Sequence, residues 1–326
     1  MLGDWTMGWV AVATLVTACG GLVGRATGRS DGDAVTGGAG GEVGSSGSAG
    51  ATGRDVPRAV AVTVGDCHSC ALTSDQRVIC WGGVGEDAPP FGLAEVPPGR
   101  YTAVDAGTLH TCAVRVDATV VCWGQDSTGA VGPIPDGQYL DVASGVSRSC
   151  ALHLDGSIEC WPDSGPPDAD FLPAGRYVEL EVEGPGLAAV HEDGSAYCTS
   201  AMDRYPVDLI GSYSHPAEWN DAFCALSASG DVDCIAWDGT PLGGSGLTSG
   251  VRHVSLSAAG DQLCGVEASG AIRCTGTPAP EQAYVDISVG HCQQCAIRDE
   301  GGVDCWPNPD CDRAGRLIFL EEQPPG

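Results

Sequence analysis

The chain has 326 residues, with fifteen arginines, no lysine, forty-three carboxylates and a formal net charge of −28. That charge opposes nucleic-acid binding, which rests largely on cations that neutralise phosphates. The missing lysine excludes a phosphate-loop lysine, Schiff-base catalysis and a Ser-x-x-Lys nucleophile. Seventeen cysteines, most of them in regular pairs, point to an oxidising compartment.

In chain order, residues 9–18 come first as an apolar run too short to span a bilayer. It ends in Val16-Thr17-Ala18-Cys19-Gly20, which resembles a bacterial lipoprotein signal with Cys19 as the lipidated residue. A signal peptide begins with positive charge, whereas Asp4 is the only charge before Arg25. A plain cleaved signal and an unprocessed segment are the other readings. Residues 20–56 are rich in Gly, Ala and Ser and read as a flexible tether. A signal at 1–19, a tether at 20–56, a domain at 57–320 and a tail at 321–326 suit an exported protein. It would hang by a lipid in the bacterial envelope, at the outer membrane or cell surface, or sit in the periplasm.

Within 57–320, cysteines recur ten residues apart: Cys70/Cys80, Cys112/Cys122, Cys150/Cys160, Cys224/Cys234, Cys264/Cys274 and Cys295/Cys305. A seventh place keeps only Cys198, with Ala188 opposite. The spacing between repeats is that of proteins built from one small unit per repeat. The third repeat, Cys150-Ala151-Leu152-His153-Leu154-Asp155-Gly156-Ser157-Ile158-Glu159-Cys160, predicts two short strands around a three-residue turn. The last turn residue wants the left-handed region, which favours glycine. Gly156, Gly194, Gly230, Gly270 and Gly301 stand there, with Gln76 and Ala118 in the first two repeats. Counting outward from His153/Ser157 makes each cysteine pair non-hydrogen-bonded, with Cα atoms about 4.5 Å apart, close enough for a disulfide. Leu152 and Ile158 share that face, so each bridge is expected to sit on an apolar patch. Structural zinc uses shorter ligand spacing. Eleven residues before each pair lie Tyr101, Tyr139, Tyr177, Tyr213 and Tyr284, with Ala59 and His253 in the remaining repeats. This landmark counts seven repeats, including the one without a cysteine pair.

Segments such as Val104-Asp105-Ala106-Gly107-Thr108-Leu109-His110-Thr111-Cys112-Ala113-Val114, followed by Val121-Cys122-Trp123-Gly124, resemble the regulator of chromosome condensation repeat. The resemblance covers roughly 57–320 and weakens in repeats four and five, where Thr199 and Ile235 replace the tryptophan. It implies an all-β, seven-bladed β-propeller. It also implies, for the eukaryotic namesake, nucleotide exchange on a small GTPase and chromatin binding. Export and negative charge oppose both here.

The residues outside the scaffold carry the remaining expectations. Cys67 and Cys292 precede their hairpins in repeats one and seven, which adjoin when a ring closes, so a Cys67–Cys292 latch is expected; Cys292–Cys311 is the alternative. Two residues before the first cysteine stand His68, His110, Arg148, Gly186, Ala222, Gln262 and Gln293. The polar five form an arc read as a binding face, or as side chains that hold the turns. His191-Glu192-Asp193 falls in a hairpin turn and reads as solvated. No cofactor, metal site or catalytic group is expected, and no carboxylate cluster has ligand-like spacing. A catalytic alternative would need an acidic pair in the channel, which the sequence does not locate. The favoured reading is a monomeric, non-enzymatic scaffold whose loops, such as 163–173 and 238–249, hold a protein or glycan partner. An inhibitor of an extracellular enzyme and an uncharacterised envelope enzyme are the alternatives.

Overall fold

The computed structural model describes residues 57–66, 68–82, 95–126, 129–162, 172–182, 186–199, 207–219, 222–242, 247, 250–276 and 278–308. Cys19, the tether, Cys67, Cys311 and the tail lie outside them. The described residues form strands and no helix, in seven antiparallel sheets. Blade one holds β1 (Ala59–Val64), β2 (His68–Thr73) and β3 (Val78–Gly82). Blade two holds β4 (Tyr101–Ala106), β5 (His110–Arg115) and β6 (Val120–Gly124). In blade three come β7 (Tyr139–Ser144), β8 (Ser149–His153) and β9 (Ile158–Trp161). Blade four has β10 (Tyr177–Glu181), β11 (Leu187–His191), β12 (Ala196–Thr199) and a fourth strand, β13 (Val207–Leu209). Blade five has β14 (Tyr213–Trp219), β15 (Ala222–Ser227), β16 (Val232–Ala236) and β17 (Pro241–Leu242). Blade six holds β18 (His253–Ala259), β19 (Gln262–Glu267) and β20 (Ile272–Cys274). Blade seven closes with β21 (Tyr284–Val289), β22 (Gln293–Arg298) and β23 (Val303–Pro307).

Each blade's first strand packs against the next blade's first strand, and β21 packs against β1, so the sheets form a seven-bladed propeller around an axial channel. Each blade is built from one repeat, and among the described residues no strand crosses the seam between the last and the first. Middle strands carry the core. Every residue of β2 and of β19 is buried, and the apolar clusters bridge adjacent blades, as where Leu152 meets Leu180 and Leu187.

The hairpin register follows the sequence. The turn residue is left-handed in all seven blades: φ is 84–90° at Gly156, Gly194, Gly230, Gly270 and Gly301, and 65° at Gln76 and Ala118. Its carbonyl then takes the amide of the next blade's landmark residue. Tyr101 N donates to Gln76 O at 2.8 Å, Tyr139 N to Ala118 O at 2.8 Å and Tyr177 N to Gly156 O at 2.8 Å. Tyr213, His253 and Tyr284 do the same to Gly194, Gly230 and Gly270 at 2.8–2.9 Å, and Ala59 N closes the ring on Gly301 O at 3.0 Å. Turn and landmark are thus two halves of one joint.

All six cysteine pairs are disulfides: Cys70–Cys80, Cys112–Cys122, Cys150–Cys160, Cys224–Cys234, Cys264–Cys274 and Cys295–Cys305. Their Cα atoms are 3.9–4.1 Å apart, closer than the expected 4.5 Å, because the bridge draws the strands together. The bridges sit on apolar patches: Cys160 packs with Leu152 and Ile158, Cys274 with Ile272, and Cys80 with Leu72 and Val78. The first cysteine of every pair is buried, whereas Cys80, Cys122, Cys160, Cys274 and Cys305 are only half-buried. These second members lie on each blade's third strand, the last strand of the sheet among the described residues in blades one, two, three, six and seven. In blade five a further strand covers that edge: Leu242 of β17 pairs with Cys234, which is buried. Ala188 pairs with Cys198 in the blade that lacks a bridge. The expected loop at 238–249 therefore differs from the structure in part. Pro241 and Leu242 pair with Ile235 and Cys234, because the chain folds back onto the unpaired edge of β16.

Candidate binding site: the axial channel and its two mouths

The residues two places before each first cysteine lie inside the propeller wall. His68, His110, Arg148 and Gln262 are buried and Gln293 is half-buried. The side chains of His68, His110, Gln262 and Gln293 meet the residue just before the first cysteine of the next blade. His68 Nε2 meets Thr111 Oγ1 at 2.6 Å, and His110 Nε2 meets Ser149 Oγ at 2.8 Å. Gln293 Nε2 donates to Ser69 Oγ at 2.9 Å, and Gln294 Nε2 donates to Gln262 Oε1. These contacts make a polar belt between blades six, seven, one, two and three, buried in the joints. Burial pulls the His68 and His110 pKa values down to about 4, so both rings are neutral at pH 7. In blades four and five the belt positions are Gly186 and Ala222, and Leu187, Phe223 and Leu263 fill the joints with apolar side chains.

Beside the belt, the chain turns at glycines packed against one another. Gly65 N donates to His68 O and Gly107 N to His110 O, both at 2.9 Å. A Cβ on Gly65 would overlap the Gly107 carbonyl, and one on Gly107 would overlap the Gly145 carbonyl. This glycine mouth of the channel is left with a dimple of only about 20 Å³.

The channel interior is acidic. First strands supply Asp105, Asp141, Glu179, Glu181 and Asp286, and a cavity of about 160 Å³ is lined by four of these together with His215. The bonds there stitch neighbouring blades. Thr63 Oγ1 donates to Asp105 Oδ1 at 2.7 Å and the Ser144 amide to Asp105 Oδ2 at 2.6 Å. Ser255 Oγ donates to Asp286 Oδ1 at 2.8 Å, and the His215 amide donates to Glu179 Oε1 at 2.9 Å. Asp141 accepts only the amide of its neighbour Val142, at 2.9 Å. Burial raises the pKa of Asp105, Glu179 and Asp286, and lifts Asp141 to about 7, with Asp105 and Glu179 adding repulsion. His215 sits among them with φ of 50°, a strained setting for a residue with a side chain. These groups were missed in the sequence because they stand one repeat apart. The landmark could have found them: Asp141, Glu179, His215 and Asp286 all lie two residues after it.

Among the described residues, no group of three or more His, Cys, Asp or Glu is arranged to hold a metal. Cys198 is a buried free cysteine, and burial pushes its thiol well above its ordinary pKa, which favours the protonated form. His191 and Asp193 do lie in a hairpin turn, where their side chains pair at 3.1 Å. Cys292 is disulfide-bonded to a residue outside the described set. Around it, Asp66 Oδ1 meets His291 Nδ1 at 2.8 Å, and Asn308 N donates to Cys292 O at 3.0 Å.

Residues 59–83 match the model of the regulator of chromosome condensation (RCC1) repeat. No curated protein sequence matches the chain. Among solved structures, the CRINKLY WD40 ectodomain of the Arabidopsis thaliana receptor kinase ACR4 is 18% identical with a TM-score of 0.59, over 77% of this chain and 99% of that one. The ectodomain of the Physcomitrella patens receptor kinase CR4 is 16% identical with a TM-score of 0.58, over 77% of this chain and 74% of that one. Prp20p of Saccharomyces cerevisiae, described with its binding to Gsp1p and histones, is 14% identical with a TM-score of 0.50, over 63% and 71%. At such identities these likenesses speak for the fold. With the matched repeat and seven equivalent joints, they make this chain an RCC1-like β-propeller.

Proposed function

We propose that the protein is a non-enzymatic scaffold that holds a protein partner in an oxidising compartment outside the cytosol. The observation that carries this reading is the rigid ring itself. Six disulfides and seven identical joints fix the blades and leave variable surface only at the mouths and the outer loops. Similar propellers serve as receptor-kinase ectodomains, and Prp20p is described with protein ligands. Cys19 anchors the protein to a membrane by lipid, residues 20–56 tether it, and the net charge of −28 keeps copies apart as monomers. Cross-linked capture from the exporting cell's envelope, with the intact oxidised chain as bait, tests the reading. A protein captured saturably and displaced by untagged chain is expected. Capture of nothing saturable, or a catalytic turnover that survives further purification, would overturn it. Mass analysis of the N-terminal peptide tests the lipid on Cys19 separately.

A further inference from the structure

Six blades share a β-bulge at one register, between the landmark residue and the residue two places on. In blade five the irregularity falls between Ser214 and Ala217 and holds His215. A bulge leaves one residue unpaired and re-aims its side chain. In five of the six, that residue is aliphatic and open to solvent: Val60, Leu140, Val178, Val254 and Val285 are 42–60% exposed. Thr102 takes the place in blade two. Because the first strands surround the channel, these side chains ring the mouth opposite the glycines. Val116 and Leu154, also exposed, extend the ring outward, held by bonds from their amides to Arg100 O and Gln138 O at 3.1 Å. Single apolar residues on a surface need no explanation, but a set repeated at one register around one opening marks a contact surface.

Just inside the ring stand the channel acids, and in three blades the two are consecutive: Leu140-Asp141, Val178-Glu179 and Val285-Asp286. We propose that this mouth is a docking surface for a protein segment that inserts one arginine or lysine side chain into the channel and lays aliphatic neighbours on the ring. This rests on the scaffold reading above and names the face and the chemistry of the partner. Charge complementarity selects the occupant. The carboxylates favour a cation, and the cavity of about 160 Å³ has room for a single extended side chain. A chain of net charge −28 repels both a second copy of itself and an anionic lipid surface. The ring offers no aromatic face to a sugar. An apolar collar around a charged centre, with a polar rim beyond, is the ordinary anatomy of a protein interface.

The test pans a random dodecapeptide library against the full oxidised chain and titrates the enriched peptides. Peptides with an arginine or lysine between aliphatic residues are expected. Leu140→Ser with Val178→Ser and Val285→Ser should weaken them by about tenfold or more. Asp141→Asn with Glu179→Gln should weaken them similarly and flatten their salt dependence. Asp66→Asn with Val146→Ser, at the glycine mouth, should change nothing. All the ring substitutions are at exposed positions, and an unchanged melting point confirms that they fold. Enriched peptides without a cation, or peptides indifferent to both sets of substitutions, overturn the proposal. Peptides weakened only at the glycine mouth overturn it and leave the scaffold reading standing, which the envelope capture decides on its own. Self-association, or binding to phosphatidylglycerol vesicles, that disappears in the triple variant would assign the ring to another occupant and so overturn it too.

Discussion

Blades seven, one, two and three are joined differently from blades four and five. On the first arc the joints are polar and tight: a belt of His, Gln, Ser and Thr side chains, beside glycines that touch neighbouring backbone. On the second arc Leu187 and Phe223 fill the joints, one disulfide is missing, and a fourth strand widens each blade. The backbone joint between turn and landmark is the same on both arcs. One ring therefore tolerates two chemistries of inter-blade packing, provided that the backbone hydrogen bond and the left-handed turn are kept. Specific bonding on one arc is matched by apolar burial on the other.

The largest effect should come from reduction, which releases six blades and spares blade four. Each staple closes a loop of about eleven residues, nominally ~2.7 kcal/mol, and even half of the summed term rivals the ~5–15 kcal/mol stability of an ordinary domain. Thermal melts with excess reductant should show a steep loss, and an unchanged melting point would contradict the disulfides. Next, Gly107→Ala should cost about 3 kcal/mol or more, because the new Cβ meets backbone that cannot move. On the other arc Gly186→Ala, at the position that His110 holds in blade two, meets the end of the Glu218 side chain, which can swing away. Its cost should stay below about 1 kcal/mol. Equal costs in denaturant titrations would erase the contrast between the arcs.

Acidity divides the molecule in a further way. Asp141, lifted to about 7, binds a proton more readily folded than unfolded, so its contribution to stability falls as pH rises from about 4 to 7. His68 and His110, lowered to about 4, are protonated more readily when unfolded, so theirs falls as pH drops from about 6.5 to 4. The two sets oppose each other in the same window. Asp141→Asn should therefore stabilise the protein at pH 8 by about 1–3 kcal/mol, with the gain gone by pH 4. Melting points that shift equally at both pH values would show that Asp141 is not a strained acid. The smallest effect expected is from Ala188→Cys, which supplies Cys198 with a partner at the register the other blades use. It should form a seventh bridge worth up to ~2.7 kcal/mol, commonly less in engineered cases. A thiol titration under denaturing conditions, showing Cys198 no longer reactive, checks it.

The register was legible because two independent constraints coincide. A disulfide across a hairpin demands one parity, and a three-residue turn demands one left-handed position, so Cys150, Cys160 and Gly156 fix each other. The half-exposure of Cys80 and Cys305 was not legible, since pairing says which residues face each other and not which strand ends the sheet. Nor were the extra strands β13 and β17. They are two or three residues long, lack alternation, and pair with the third strand of their blades. The depth of His68 and Gln262 was also hidden, since polar residues read as surface until a neighbouring blade supplies their partner. The channel acids were hidden by distance along the chain. Asp105, Asp141 and Glu179 become neighbours only once the ring is closed.

The seam between blades seven and one has a consequence for how the chain can be cut. Ala59 binds Gly301 through the bond found at every other joint, and among the described residues no strand is exchanged there. The order of blades matters, but the starting point does not. A circular permutant that links the present ends and opens the chain between blades four and five, where the polar belt is absent, should assemble the same ring. Blade number in such a molecule is then set by the angle of a single repeated joint.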